Sequence, residues 1–128
     1  MEYSGMVVDT SIFIDYLRKK NKENSKLYNI PDDKTLYVSA ITLFELFLGA
    51  TNQQKWNDII LITDDLNILP VTIDISKKGA KIFQDLRKRN KIIDFRDILI
   101  GATALINNLP IITDNKKHFN RITGLKVL

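Results

Sequence analysis

DFRDILIGATALINNLPIITDN, running from Asp94 to Asn115, is the stretch whose reading decides the fold. Asp94 and Asp97 open an apolar run of helical character, Asn107-Asn108-Leu109-Pro110 breaks it, and Ile111-Ile112 reads as a buried strand ending at Thr113 and Asp114. The small residues Gly101, Ala102 and Ala104 would let the helix pack closely on a sheet. A helix followed at once by an apolar strand with a polar end is the unit of an open α/β sheet. Ligands of such sheets sit beyond the carboxyl ends of the strands. The other acidic residues are therefore judged by whether they can reach that place.

Outward from this stretch the same unit recurs. Met6-Val7-Val8 is short, β-branched and ends at Asp9, which favours a strand. Asp9-Thr10-Ser11 can cap a helix carrying Ile12, Phe13, Tyr16 and Leu17. Lys22 to Tyr28 predicts a short surface helix, and Pro31-Asp32-Asp33 a turn. Leu36-Tyr37-Val38 is a second strand, with Ser39 capping a helix that Gly49 ends. Residues 53–66 read as a helix with Trp56, Ile59, Ile60 and Leu66 inward, and Leu69-Pro70-Val71 as an edge strand, since proline disfavours a central one. Asp74 is placed to cap a further helix whose apolar stripe is Ile75, Gly79, Ile82, Phe83 and Leu86. Lys126-Val127-Leu128 is a last edge strand.

Composition removes several classes of function. With 128 residues, 45% hydrophobic and 27% charged, the chain suffices for one domain with a core, residues 1–128. It has no cysteine, so disulfide frameworks and thiolate metal sites are excluded. No targeting segment or membrane-spanning run is visible, so a cytoplasmic protein is expected. The net charge of +4 permits contact with a phosphate backbone without establishing it. Basic residues cluster at Lys19 to Lys26, Lys77 to Lys91 and Lys116 to Arg121, and solvated helix faces account for any one of these.

Four acidic positions recur near strand ends and helix starts: Asp9, Glu45, Asp97 and Asp114, with Asp94 just before Asp97. Each alone has a bland explanation as a cap, a turn or a wet helix face. Glu45 is the exception, being the sole charge from Leu36 to Asn52 in a helix apolar nearly all round. Such a helix should be largely covered, and a covered carboxylate needs a partner or a metal. In a parallel sheet Asp9 and Asp114 would share one crevice with Asp97. Like charges gathered there require protons or cations. Hard oxygen ligands suit Mg²⁺ or Mn²⁺, ions that serve phosphoryl transfer.

Four blocks, Val7–Leu17 (VVDTSIFIDYL), Ser39–Gly49 (SAITLFELFLG), Asp97–Leu105 (DILIGATAL) and Leu109–Phe119 (LPIITDNKKHF), resemble the PIN-domain family in order and spacing. More narrowly, the chain is similar to the VapC toxin ribonucleases of toxin–antitoxin pairs. This resemblance implies a three-layer α/β/α fold with a central, mainly parallel sheet. It also implies a metal-dependent endoribonuclease using Mg²⁺ or Mn²⁺, a homodimer, an RNA substrate and a small antitoxin protein. It assigns the metal-holding and catalytic acids to Asp9, Glu45 and Asp97. The family's final Asp or Asn falls on Asn115, while this chain carries an acid one place earlier. Asp114 is taken as the charged contributor and Asn115 as its hydrogen-bonding neighbour, with Thr10, Ser11 and Thr113 as polar support and Asp94 acting through a water.

An acidic pocket repels a polyanion, so Arg96, Lys116, Lys117 and Arg121 are candidates to hold the RNA backbone. Two rival readings stay open. A Mg²⁺-dependent phosphoacceptor domain would carry its mid-sequence acid at a strand end, whereas Glu45 lies in a helix. A non-catalytic RNA-binding or scaffold module could use the same fold. Apolar positions in 12–17, 43–48 and 59–66 exceed what one small domain buries, which suggests a dimer or antitoxin surface.

Overall fold

Each strand of the amino-terminal half runs directly into a helix, because an apolar β-branched run ends at one polar residue in extended conformation, Asp9 or Ser39. In the computed structural model, which describes residues 3–128, β1 (Gly5–Val8) leads into α1 (Thr10–Arg18), and β2 (Thr35–Ser39) into α2 (Ala40–Leu48). Ser39 caps α2 by accepting from the Ile41 amide. There follow α3 (Gln53–Thr63), β3 (Asn67–Leu69), α4 (Ile73–Lys88), α5 (Phe95–Ile106), β4 (Ile111–Ile112) and the single turn α6 (Lys116–Phe119).

The strands lie in the order β3-β2-β1-β4, and all neighbours are parallel. Side chains of a strand alternate between faces. Val7 therefore points into one core with Ile75, Leu86, Ile100 and Ile111, contributed by α4, α5 and β4. Met6 and Val8 point into a second core with Ile12, Phe13, Leu46 and Ile59, from α1, α2 and α3. The result is the three-layer α/β/α arrangement, with β1 buried on both faces, as a central parallel strand must be. Phe13 and Leu86 are fully enclosed. Truncating such side chains to alanine costs about 2–5 kcal/mol.

The decisive stretch folds as read, with Asp94 as the cap of α5 and Asn108 in the left-handed region at φ 55°. Its small residues act differently from expectation. A methyl group on Gly101 would meet Ile122 Cδ1 at 2.6 Å, so this face packs on the carboxyl-terminal segment rather than the sheet. Gly79 of α4 brings α5 close through Leu99, Ile98 and Ala102.

Local expectations change elsewhere. The segment after α1 holds only a 3-10 turn at Lys22–Asn24, and Lys22 Nζ reaches back to the Tyr16 and Leu17 carbonyls at 2.7 and 3.1 Å. Thr72, not Asp74, caps α4. The edge strand ends before Pro70, which has no amide to continue it. Val127 forms one isolated parallel bridge to Ile111 instead of a strand. Trp56 and Ile60 are exposed, and α2 is covered except at Phe44 and Leu48. Ile59 alone of the inward set on α3 is enclosed, since α3 meets the domain along one narrow face.

Candidate active site

At the carboxyl end of β1, Asp9 occupies the capping position of α1 but makes no side-chain cap bond. Its Oδ2 instead accepts from the hydroxyls of Ser11 and Thr113, each at 2.8 Å. Those hydroxyls in turn accept from the Asp114 amide at 3.0 Å and the Asn115 amide at 2.8 Å. The loop after β4 is thus stitched to the end of β1. Asp9 is 3% exposed, and its Oδ1 is buried without a hydrogen-bond partner. A capping role does not account for this geometry.

Glu45 approaches from α2. Its Oε1 accepts from the Thr10 hydroxyl at 2.8 Å, and that hydroxyl lies 3.0 Å from Thr42 Oγ1. Arg96 Nη1 is 3.8 Å from Glu45 Oε2. Thr42 was not anticipated, although its place three residues before Glu45 puts both on one helix face.

Asp97, in the first turn of α5, has its pKa pushed up to about 6. Burial is the main cause, followed by the charges of Asp9, Glu45 and Asp94, with Arg96 opposing them. These four carboxylates therefore share one electrostatic field. Asp94 is more specialised: it caps α5 through the Arg96 amide and binds the Arg96 side chain through both oxygens at 3.0 Å. The Arg96 side chain, and then its amide, hold Asp94 below the usual carboxylate range.

The loop after β4 sorts Asp114 from Asn115. Asn115 Nδ2 lies 3.4 Å from Asp97 Oδ2 and 2.9 Å from His118 Nδ1. Asp114 pairs with Lys26 and is not among the charges that raise Asp97. The bend at Asp114 that follows β4 divides them: Thr113 is buried and Asn115 partly buried, while Asp114 is exposed. Asn115 thus stands beside Asp97, whereas Asp114 is turned to Lys26. Lys26, 88 positions away in sequence, left no sign of this contact.

Among the proposed RNA-backbone residues, Arg96 is committed to Asp94 and Glu45. Arg121 donates to the Ile92 carbonyl at 3.3 Å. Lys116 and Lys117 are exposed on α6.

Among the described residues no three acidic or histidine side chains converge tightly enough to clasp a metal as they stand. The donor chemistry nevertheless fits a hard divalent cation. Asp9 offers a buried carboxylate oxygen with no partner, and Asp97 is a carboxylate whose charge its neighbours resist.

A PIN-domain family model matches residues 6–125. The chain is 33% identical over 128 residues to Ribonuclease VapC1 of Methanocaldococcus jannaschii, covering 98% of this chain and 88% of that protein. It is 34% identical over 131 residues to Ribonuclease VapC of Rickettsia bellii, covering 97% and 95%. The structure of VapBC-1 from nontypeable Haemophilus influenzae matches with a TM-score of 0.82 at 30% identity, covering 97% and 96%. That of VapBC2 from Rickettsia felis, bound to a DNA fragment from its promoter, has a TM-score of 0.85 at 22% identity over 97% of both chains, a likeness of fold alone.

Proposed function

The chain belongs to the PIN-domain family, in its VapC-like branch, and on that premise we propose that it is a metal-dependent endoribonuclease, the toxin of a toxin–antitoxin pair, hydrolysing RNA phosphodiester bonds. One observation carries this reading: the buried, unpartnered Oδ1 of Asp9, in the same field as Asp97 and Glu45. A structural aspartate would have satisfied that oxygen, since leaving it bare costs on the order of 1–3 kcal/mol or more.

Asp9, Glu45 and Asp97 would hold Mg²⁺ or Mn²⁺, with Asn115 beside them. A cation there would polarise the phosphodiester and ease the deprotonation of water. The protein's own work is positional. Ser11 and Thr113 fix Asp9 through Oδ2 and leave Oδ1 for the site. Thr10, backed by Thr42, aims Glu45. Arg96 moderates the repulsion among Glu45, Asp94 and Asp97 without entering as a ligand. Burial and its acidic neighbours push the Asp97 pKa up to about 6, so below that pH a cation would have to displace a proton there.

The H. influenzae relative is described as VapBC-1 and a Klebsiella pneumoniae neighbour, at 26% identity, as a toxin-antitoxin complex. By extension, a cognate antitoxin and a second copy of this chain are the proposed protein partners. Exposed Phe44, Leu48, Ile60 and Leu61 on α2 and α3 offer apolar surface for them.

The test compares wild type with Asp97→Asn on total cellular RNA, with and without Mn²⁺ or Mg²⁺, and checks folding by circular dichroism. Discrete metal-dependent fragments from wild type alone are expected. If neither protein cleaves any of several RNA pools, the non-catalytic RNA-binding reading takes its place.

A further inference from the structure

Beside the acid site lies an open cavity of about 570 Å³ lined by Ser11, Ile14, Asp15, Arg18, Lys19 and Asp114. Ser11 is the same residue whose hydroxyl holds Asp9, so the cavity begins where the site ends. Ser11, Ile14, Asp15 and Arg18 form one face of α1, and Arg18 stands about 10 Å along the helix axis from Ser11.

Arg18 is distinctive among the five arginines. Arg89 pairs with Asp85, Arg96 with Asp94, Arg121 with the Ile92 carbonyl, and Arg87 lies over the Phe83 ring. Among the described residues, Arg18 has no hydrogen bond, ion pair or ring contact. The usual structural reason for a base in the last helical turn is to satisfy terminal carbonyls. Lys22 already does so at Tyr16 and Leu17.

The acids of the cavity wall are masked. Asp15 accepts from the Lys26 amide at 3.0 Å and lies 3.6 Å from Lys19 Nζ. Asp114 is paired with Lys26 Nζ. An anion entering the cavity thus meets a free guanidinium and two neutralised carboxylates, with Ile14 as an apolar wall.

We infer that Arg18 binds a backbone phosphate of the RNA strand whose neighbouring phosphodiester lies at the acid site, making this cavity the substrate's flanking-nucleotide subsite. The inference rests on the proposed nuclease reading for its substrate class. Guanidinium forks suit phosphate, and Ser11 marks the path from Arg18 to Asp9. Lys26 screens Asp114 from the incoming strand.

Binding of a short, fluorescently labelled, mixed-sequence oligoribonucleotide to the full chain tests this, read by anisotropy across a salt series with EDTA present to prevent cleavage. Arg18→Gln should weaken binding about tenfold and reduce the salt slope by about 0.7, the share of one phosphate contact on a single strand. Arg18→Lys should recover part of both. Lys81→Gln, in a separate cavity on α4, should change neither as much. Wild-type affinity and slope in Arg18→Gln would overturn the inference, as would absence of any oligoribonucleotide binding by wild type. The two readings fail separately. Metal-dependent cleavage unaffected by Arg18→Gln, with unchanged binding, removes the subsite and keeps the nuclease. Loss of binding in Arg18→Gln, where wild type cleaves no RNA, keeps the contact and removes the nuclease.

Discussion

Asp97 carries the clearest consequence at the scale of single residues. Its pKa of about 6 means that the folded chain holds this proton more tightly than the unfolded chain, where the value is 3.8. The contribution of Asp97 to stability is therefore greatest below pH 3.8 and is lost as pH rises through about 6. A shift of that size on a fully buried group would be worth about 3 kcal/mol. Asp97 is only half-buried, and screening reduces the expected effect to about 1–2 kcal/mol. In metal-free buffer, Asp97→Asn should match wild type near pH 4 and exceed its stability at pH 8 by about that amount. Urea denaturation at both pH values measures this; a variant weaker than wild type at pH 8 contradicts it. Addition of Mn²⁺ should raise the Tm of wild type and not of the variant. Thr113→Val probes the other carboxylate. It removes one of two hydroxyls on Asp9 Oδ2 and the acceptor of the Asn115 amide, at an expected cost of about 1–3 kcal/mol. Cleavage of total RNA should fall with it, and unaltered stability and cleavage would show that Ser11 alone suffices to hold Asp9.

Elements, rather than residues, set how closely the layers approach. In α5, Gly101→Ala gains about 1 kcal/mol of helix propensity but forces the added methyl against the buried Ile122 at 2.6 Å. Overpacking of this kind costs about 1–3 kcal/mol, so a net loss is expected, read as a lower Tm. Gly79→Ala in α4 meets Leu99 at 3.2 Å, a milder approach, and should be nearly neutral. Equal effects at the two glycines would show that α5 and the carboxyl-terminal segment yield as easily as α4 and α5. This scale also shows what could be read in advance. Strand-then-helix units, the Ser39 and Asp94 caps and the break before Pro110 are local signals, and each appears as read. The inward turn of Asn115 and outward turn of Asp114 depend on the bend just after β4, which the sequence of a two-residue strand does not define. The Lys26–Asp114 pair and the Arg96–Glu45 approach depend on elements distant in the chain, so no spacing rule reaches them.

The whole molecule leaves one large imbalance, which concerns what covers it. Helices α2 and α3 hold each other through Phe47 and Trp56, whose ring centroids are 4.5 Å apart. Elsewhere on the same two helices Leu48 is 65% and Leu61 75% exposed, and Phe44 and Ile60 are also exposed. The surplus of apolar residues was visible in the sequence, but not which of them would remain outside, because a helical wheel does not show which face meets the sheet. Surface this apolar marks an interaction site more often than a core defect. If α2 and α3 form the proposed antitoxin or dimer face, Leu48→Glu and Leu61→Glu should leave the stability of the isolated chain within about 0.5 kcal/mol, since neither side chain is packed. The same substitutions should weaken assembly sharply, because a buried unpaired carboxylate is costly at an interface. Co-expression of tagged variants with the antitoxin of the same pair, followed by co-purification and sedimentation, separates the possibilities. Loss of the antitoxin alone assigns the face to it, and a shift to monomer alone assigns it to the second copy. Wild-type assembly in both variants would mean that these leucines are simply solvated and that the partners bind elsewhere on the domain.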